Sequence, residues 1–315
     1  VKANSLQKSP KALNGIALSA AKLGQWEKAR DAAESAISID PNIFDSREVL
    51  WQAYMRSKNY SEAAKHLEFL VTKKPNDLKY WQDLSECYVN LKSVDKLAEA
   101  DKKLIKLDKK NAESRLRFAE YSLSRNDQET AYGLFKELAI LTPKNPTVFN
   151  NLYNLAKEKK DLTGAIKYMQ KYLALKPTDA EAQRDLGDML YTRKDLDGAL
   201  QAYRTALKIN PSIKGFHKRY AEIVIAKGQT SEVIKALEGV IASGEADFNT
   251  YQTLGMIYQK NKNYTKAIDM YTKALQLEPQ NTDALVALAD CQAAKGDIGG
   301  AVITYEQAVM MNPNA

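Results

Sequence analysis

The residue types that most often perform catalysis or bind metals are scarce and scattered in this sequence. Its 315 residues include two histidines, His66 and His217, and two cysteines, Cys87 and Cys291. Neither histidine has a second histidine or a cysteine at metal-ligand spacing, so the sequence contains no zinc-binding pattern. It also lacks the glycine-rich turns that hold phosphates and the G-x-S-x-G turn of serine hydrolases. We therefore expect no active site, no cofactor and no metal centre.

Carboxylates are abundant, but they alternate with lysines at helical spacing, which is typical of solvated helix faces. The densest lysine cluster, Lys102 to Lys110, is interleaved with Asp101 and Asp108, and we interpret it as such a face and turn. The formal net charge of +7 suggests a nucleic-acid or acidic partner. Because the excess is spread thinly along the chain, nucleic-acid binding is disfavoured.

A period of 34 residues organises the elements that carry these side chains. Its clearest copy, residues 248–281, has two amphipathic helical patterns separated by a short polar turn, and Pro279 ends the second pattern. With Phe248 as position 1, nine repeats follow without insertion: 10–43, 44–77, 78–111, 112–145, 146–179, 180–213, 214–247, 248–281 and 282–315. Residues 1–9 are interpreted as the tail of a preceding helix or repeat.

Small residues at positions 8 and 20 predict that the two helices of each pair cross closely. Alanine occupies position 20 in seven of nine repeats, and proline occupies position 32 in seven of nine. A bulky residue at position 20 would overpack the crossing, at about 1–3 kcal/mol. Repeats 3 and 7 depart most, with Leu97 and Val233 at position 20. A tyrosine near position 11, such as Tyr258, is expected to fill the space between adjacent pairs.

This pattern resembles the tetratricopeptide repeat over residues 10–315. The residues that carry the resemblance in repeat 8 are Tyr251, Leu254, Gly255, Tyr258, Ala267, Tyr271, Ala274 and Pro279. The resemblance implies an all-α, right-handed superhelical solenoid of antiparallel helix pairs. It also implies that the first helix of each pair lines the concave side, which is the usual binding face.

From the family's geometry, positions 2, 5, 9 and 12 should point into the groove. Five of the nine residues at position 9 are acidic, and amides at position 5 can donate to and accept from a peptide backbone. The predicted partner-binding residues are Asn14, Gln52, Gln82, Glu86, Glu120, Asn150, Asn154, Arg184, Asp188, Lys218, Glu222, Gln252, Met256 and Asp290. The hypothesis is an acidic, amide-rich groove that receives a positively charged segment of a partner protein.

A purely structural interpretation of the same residues remains open. Arg184–Asp188 and Lys218–Glu222 have i,i+4 spacing, and such ion pairs stabilise a helix by about 0.2–0.5 kcal/mol each. Some family members grip a partner's C-terminal carboxylate with lysine at position 5 and asparagine at position 9 of one repeat. No repeat here has that combination, so a chaperone-tail clamp is not expected.

The leading hypothesis is a non-enzymatic scaffold that binds partner proteins and supports complex assembly. The alternative is the partner- or substrate-selecting region of a larger enzyme. Both ends look uncapped, so we expect the native chain to continue; self-association through the ends is the rival explanation. The sequence contains no run of about 18 apolar residues, so we expect no membrane span.

Cys87 and Cys291 both fall at position 10, a core position. As unpaired core residues they favour a reducing compartment such as the cytoplasm, with a periplasm left open.

Overall fold

A computed structural model of the chain describes residues 9–228 and 230–312. This described part contains eighteen α-helices and no strand. The helices are α1 Pro10–Lys22, α2 Trp26–Ile39, α3 Phe44–Arg56, α4 Tyr60–Lys73, α5 Leu78–Asn90, α6 Val94–Leu107, α7 Ala112–Ser124, α8 Gln128–Leu141, α9 Pro146–Glu158, α10 Leu162–Leu175, α11 Ala180–Thr192, α12 Leu196–Ile209, α13 His217–Ala226, α14 Thr230–Ala242, α15 Phe248–Lys260, α16 Tyr264–Leu277, α17 Thr282–Lys295 and α18 Ile298–Met311. The predicted all-α array of helix pairs is confirmed. The interpretation of residues 1–9 as a preceding helix falls almost wholly outside the described residues.

The first helix of each pair starts at position 1 of the 34-residue period, except in repeat 7. Most of these helices are preceded by an aspartate or asparagine, at position 34 of the repeat before. Its side chain accepts a hydrogen bond from a backbone N–H in the first turn of the helix, as Asp179 does from Ala182. In repeat 7 this residue is Ile213, which has no side-chain acceptor. The helix α13 begins three residues late, at His217, and its N-cap residue Phe216 makes no capping bond.

The turn inside each helix pair has a left-handed residue at position 15. This residue is glycine in three repeats, asparagine in one and lysine in five. The five lysines are Lys58, Lys92, Lys160, Lys194 and Lys262, with φ between 55° and 66°. In six repeats the side chain at position 16 then caps the second helix, as Asp195 does by accepting from the N–H of Gly198. The turn geometry and the cap together fix where the second helix begins.

Close helix crossings occur where the small residues lie. A Cβ added to Gly187 would sit 2.4 Å from the ring of Tyr203, and one added to Gly255 would sit 2.8 Å from the ring of Tyr271. The pairs α11–α12 and α15–α16 therefore pack tightly, as predicted from position 8. The pair α5–α6, which carries Leu97 at position 20, packs less closely than these two pairs. Extra side-chain volume at position 20 accounts for the wider crossing. The pair α13–α14 makes a close approach despite Val233, because a Cβ added to Gly239 would sit 2.8 Å from the ring of His217.

The chain divides into two compact halves, residues 1–155 and residues 156–315, and each has its own core. In the amino-terminal half, Trp51, Leu67, Leu84 and Tyr88 belong to one buried cluster, and α1, α2 and α3 contribute the residues of an alanine-rich cluster. In the carboxyl-terminal half, Tyr203 stacks on Phe216 with ring centroids 4.8 Å apart. No helix within the described ranges combines the length and the apolar character that crossing a bilayer requires.

Candidate partner-binding surface

All fourteen residues predicted to bind a partner lie on first helices, and none is buried. Seven belong to each half of the chain: those up to Asn154 to the amino-terminal half and those from Arg184 to the carboxyl-terminal half. Met256 is the most informative because 58% of this apolar residue is exposed at position 9. The side chains are accessible to a partner, and their role as a binding groove remains a prediction.

The amino-terminal half brings Gln82 and Glu86 together at a pocket between the first helices of repeats 3 and 4. This 3/4 pocket has a volume of about 420 Å³. Its walls are Gln82, Ser85 and Glu86 from α5 and Glu113, Ser114 and Arg117 from α7, and Leu104 of α6 also lines it. Positions 5 and 9 of one repeat thus meet positions 2, 3 and 6 of the next.

A buried ion pair underlies the 3/4 pocket. The guanidinium of Arg117 donates to both carboxylate oxygens of Asp101, at 2.9 Å and 2.6 Å. It also donates to the hydroxyls of Ser85 and Ser114 at 3.1 Å and 3.2 Å, and it pairs with Glu113. These bonds occupy the donors of Arg117, so the free polar groups of the pocket are the carboxylate of Glu86 and the amide of Gln82.

The burial of Asp101 corrects an expectation from sequence. We expected Asp101 to lie on a solvated helix face among lysines, but its side chain is only 1% exposed. Asp101 occupies position 24, which holds a core aromatic such as Tyr203 or Tyr271 in other repeats. The neighbouring lysines Lys102 and Lys106 are exposed, as predicted. The residue therefore faces the next repeat, where Arg117 compensates its charge.

Two acids of the predicted surface are free in the amino-terminal half. The carboxylates of Glu86 and Glu120 are exposed and make no hydrogen bond or ion pair within the described part of the chain. Both stay fully available to a cation from outside. Because the adjacent Arg117 is already paired with Asp101 and Glu113, the surface around the 3/4 pocket presents excess negative charge.

An equivalent pocket lies between the first helices of repeats 7 and 8 in the carboxyl-terminal half. This 7/8 pocket has a volume of about 200 Å³ and is lined by Lys218, Glu222, Ile225, Asp247, Thr250 and Thr253, among others. The ammonium of Lys218 lies 3.0 Å from a carboxylate oxygen of Asp247. Burial alone would raise the pKa of Asp247, but bonds from Thr250 and Lys218 lower it to about 2.

The predicted i,i+4 ion pairs were wrong, because stronger partners lie elsewhere. Arg184 pairs with the adjacent Asp185 at 2.7 Å. Asp188 pairs instead with Arg219 of the next repeat at 2.8 Å and accepts from the hydroxyl of Tyr203 at 2.6 Å. Tyrosine and arginine reach across helices, and so they hold this carboxylate between repeats.

Lys218 and Glu222 are also engaged outside their own helix. Lys218 pairs with Asp247, and Glu222 accepts a hydrogen bond from Tyr191 at 2.5 Å. Asp290 likewise accepts from the hydroxyl of Tyr305. The acidic residues at position 9 of the carboxyl-terminal half thus have intramolecular partners, in contrast to Glu86 and Glu120.

Sequence reasoning missed two features of the surface. The exposed apolar residues Ile225 and Val286 lie on first helices at positions 12 and 5, near the exposed Met256 in the repeat order. Their signal was present, since an apolar residue at a groove position is unusual on a solvated face. The pair Asp101 and Arg117 was also missed. Its signal was an aspartate at a position that is aromatic in four other repeats.

The histidines and cysteines have structural surroundings. Cys87 and Cys291 are buried and unpaired, which confirms the core prediction, and burial raises the pKa of Cys87 to about 12. Burial, with a smaller effect of Arg47, lowers the pKa of His66 to about 4. Groups of three or more His, Cys, Asp or Glu side chains suited to a metal ion do not occur within the described ranges.

Three sequence profiles, each described as a tetratricopeptide repeat, match residues 10–43, 154–212 and 258–315. The matches fall in both halves, and the match to residues 10–43 coincides with the helix pair α1–α2. The chain belongs to the tetratricopeptide repeat family.

Curated relatives include proteins of several kinds. The chain is 24% identical over 272 residues to Hsp70-Hsp90 organizing protein 3 of Arabidopsis thaliana. The aligned region covers 81% of this chain and 47% of that protein. It is 28% identical over 142 residues to the human protein O-mannosyl-transferase TMTC1, covering 43% of this chain and 16% of that protein. The chain therefore spans about half, or less, of the length of these relatives.

The chain also resembles solved structures, at low sequence identity and with TM-scores below 0.5. One is the crystal structure of YrrB, titled a TPR protein with an unusual peptide-binding site, at 18% identity and a TM-score of 0.31, covering 69% of this chain and 94% of that one. Another is Naa15/Naa10 bound to HypK-THB, at 13% identity and a TM-score of 0.45, covering 97% of this chain and 64% of that one.

Proposed function

We propose that this tetratricopeptide-repeat chain is a protein-interaction scaffold that binds basic segments of partner proteins on its first helices. The observation that carries the proposal is the 3/4 pocket, where the free carboxylate of Glu86 and the free amide of Gln82 border a cavity of about 420 Å³. A lysine or arginine side chain matches the charge, and the amide matches a peptide backbone.

The charge balance of the pocket supports a cationic ligand. Glu86 and Glu113 line it, and Glu120 lies on the same helix as Glu113. The one cation among the lining residues, Arg117, is compensated by Asp101. A preformed helical surface loses little conformational freedom on binding, so weak contacts repeated along it can add to useful affinity.

The carboxyl-terminal half favours apolar rather than basic side chains of a partner. Its position-9 acids are held by tyrosines and an arginine, while Met256 and Ile225 are exposed. Apolar contacts with a partner are therefore more effective here than ion pairs. A basic segment of a partner would match the first surface, and an apolar segment would match the second.

The test is to select ligands from a library of short lysine- and arginine-containing peptides and to measure their affinity for variants of the chain. The double variant Glu86→Gln, Glu120→Gln should weaken a selected basic peptide by roughly tenfold, because two free carboxylates are lost. Glu99→Gln is the matched control: Glu99 is an exposed acid of repeat 3 on the second helix α6. Equal affinity of both variants would reject the proposed surface.

A second candidate is that the chain is the partner- or substrate-selecting region of a larger enzyme. The similarity to protein O-mannosyl-transferase TMTC1 supports this candidate, and the matched region is 16% of that protein. Sequencing the complete reading frame that encodes the chain would decide, because a catalytic domain in the same frame would favour this candidate. Nucleic-acid binding is less well supported, since five of the nine residues at position 9 of the first helices are acidic.

A further inference from the structure

The last helix, α18, has an exposed apolar side. Val302 and Val309 lie on this side and are 50% and 59% exposed, and Met310 beside them is 71% exposed. Glu306, the one charged residue among the fourteen of this helix, is three or four residues from each of them and so lies on the same side. We call these four residues the α18 surface. It is separate from the 3/4 and 7/8 pockets, because neither is lined by a residue of α18.

The equivalent side of every earlier second helix is covered. Val302 occupies position 21 of its repeat and Val309 position 28, and the residues at these positions in repeats 1–8 are buried or half-buried. In α10, for example, Ile166 and Leu173 are 2% and 7% exposed, and this helix contacts α11, the first helix of the next repeat. The α18 surface is therefore of the kind that a first helix covers elsewhere in the chain.

Three junctions between consecutive repeats also contain a hydrogen bond from a tyrosine to a glutamate. The tyrosine is at position 11 of the following repeat, and the glutamate is at position 25 of the preceding one. These bonds join Tyr54 to Glu34, Tyr88 to Glu68 at 2.8 Å and Tyr258 to Glu238 at 3.0 Å. Each bond ties a first helix to the second helix of the repeat before it.

The other five junctions have neither residue type. Position 25 is then lysine, glutamine, arginine or threonine, and position 11 of the next repeat is serine, alanine, leucine, valine or glutamine. The remaining glutamate at position 25 is Glu306 in repeat 9. Its carboxylate is exposed and makes no hydrogen bond or ion pair within the described part of the chain. Because its three equivalents all accept from a tyrosine hydroxyl, a tyrosine is the donor that fits the α18 surface.

We propose that the α18 surface binds an amphipathic helix of a partner protein. A tyrosine hydroxyl of that helix donates to Glu306, and apolar residues on the same side of the helix pack on Val302 and Val309. A second copy of this chain does not offer such a helix. Its outermost first helix, α1, has Ala20 at position 11, and the tyrosines at position 11 of α3, α5 and α15 are engaged within their own chain.

The test measures binding of a labelled helical peptide to the intact chain by fluorescence anisotropy. The peptide has the sequence of α15, residues 248–260, and a side-chain cross-link replaces Met256 and Lys260 so that it is helical before it binds. These two residues are exposed and four apart, so the cross-link lies away from Tyr258, which is buried. The expected result is saturable binding. The Tyr258→Phe peptide should bind roughly fivefold more weakly, the usual net effect of one hydrogen bond.

Variants of the chain locate the contact. Glu306→Ala should weaken binding of the tyrosine peptide by roughly fivefold and leave binding of the Tyr258→Phe peptide unchanged. Glu99→Ala is the control, since Glu99 is an exposed acid of another second helix, and it should affect neither peptide. Val309→Asp should abolish binding of both peptides by placing a charge in the apolar contact, and an exposed residue can be changed in this way without unfolding the chain.

The result is independent of the basic-segment surface proposed above, because the double variant Glu86→Gln, Glu120→Gln should bind the helical peptide normally. Absence of saturable binding would overturn the proposal, as would equal affinities of the two peptides for the unmodified chain. Analytical ultracentrifugation provides the remaining check. A dimer of the unmodified chain that Val309→Asp dissociates would show that a second copy occupies the α18 surface, which would also overturn the proposal.

Discussion

The hydroxyl of Tyr258 in α15 donates to the carboxylate of Glu238 in α14 at 3.0 Å, and this bond joins repeat 8 to repeat 7. In the same way, the hydroxyl of Tyr88 in repeat 3 donates to the carboxylate of Glu68 in repeat 2 at 2.8 Å. Tyrosine at position 11 therefore does more than fill the space between pairs. It ties each of these repeats to its predecessor through a carboxylate at position 25.

Loss of this hydroxyl should weaken the contact between repeats. Tyr258→Phe keeps the ring and is expected to destabilise the chain by about 1 kcal/mol, the usual net value of a hydrogen bond. Tyr251→Phe is the matched control, since Tyr251 lies in the same helix and its hydroxyl has no hydrogen bond among the described residues. Urea denaturation measures both changes. Equal stabilities of the two variants would show that the bond contributes nothing.

The left-handed lysines at position 15 are expected to be suboptimal. A residue with a Cβ is strained at φ of 58°, the value at Lys262, whereas glycine is not. Lys262→Gly should therefore raise the unfolding free energy by about 0.5–1 kcal/mol. Lys262→Ala removes the same charge but keeps the Cβ, so it should give no such gain. A gain of equal size from alanine would assign the effect to charge rather than to backbone strain.

The pKa of His66 predicts a loss of stability in acid. Burial holds this pKa at about 4 in the folded chain, against 6.5 for an unperturbed histidine. The unfolded chain therefore binds a proton as the pH falls below 6.5, while the folded chain does not, and stability declines between about pH 6.5 and 4. His66→Phe keeps a ring beside Tyr54 and should flatten this part of the curve of melting temperature against pH. An unchanged curve would refute the assignment to His66.

The buried ion pair Asp101–Arg117 predicts non-additive effects of mutation. Arg117→Leu leaves the carboxylate of Asp101 buried without its cation and should cost about 3–5 kcal/mol. The double variant Asp101→Leu, Arg117→Leu should recover most of that loss, since position 24 is apolar in every other repeat. A double-mutant cycle in denaturant measures the coupling. Strictly additive losses would mean that the pair is not the source of the effect.

The fold was predictable because one period governs both local and tertiary structure. Alanine at position 20 and glycine at position 8 specify the helix crossing, and they can be seen in the sequence without knowledge of any partner helix. The late start of α13 was harder to predict. Ile213 replaces the aspartate or asparagine that caps most other first helices, but Ile43 does the same before α3, which begins at position 1. Repeat 7 differs in having Gly215, with a φ of 91°, at its second position.

The surface was predictable only in part. Positions 5 and 9 are accessible as expected, because helical periodicity alone decides which side faces away from the pair. Ion-pair partners were not predictable from spacing within one helix. Arg219 reaches Asp188 from the next repeat, and Arg117 reaches Asp101 in the same way, so the choice depends on distances between helices that a single sequence does not provide.

The looser packing of α5–α6 implies that the chain does not open uniformly. In a tandem array, each repeat is stabilised by its own crossing and by its neighbours, so a weak crossing is a site of local unfolding. Amide hydrogen exchange should therefore be faster within repeat 3 than in α11–α12 or α15–α16. The 3/4 pocket adjoins repeat 3, so a ligand bound there should slow exchange in that repeat.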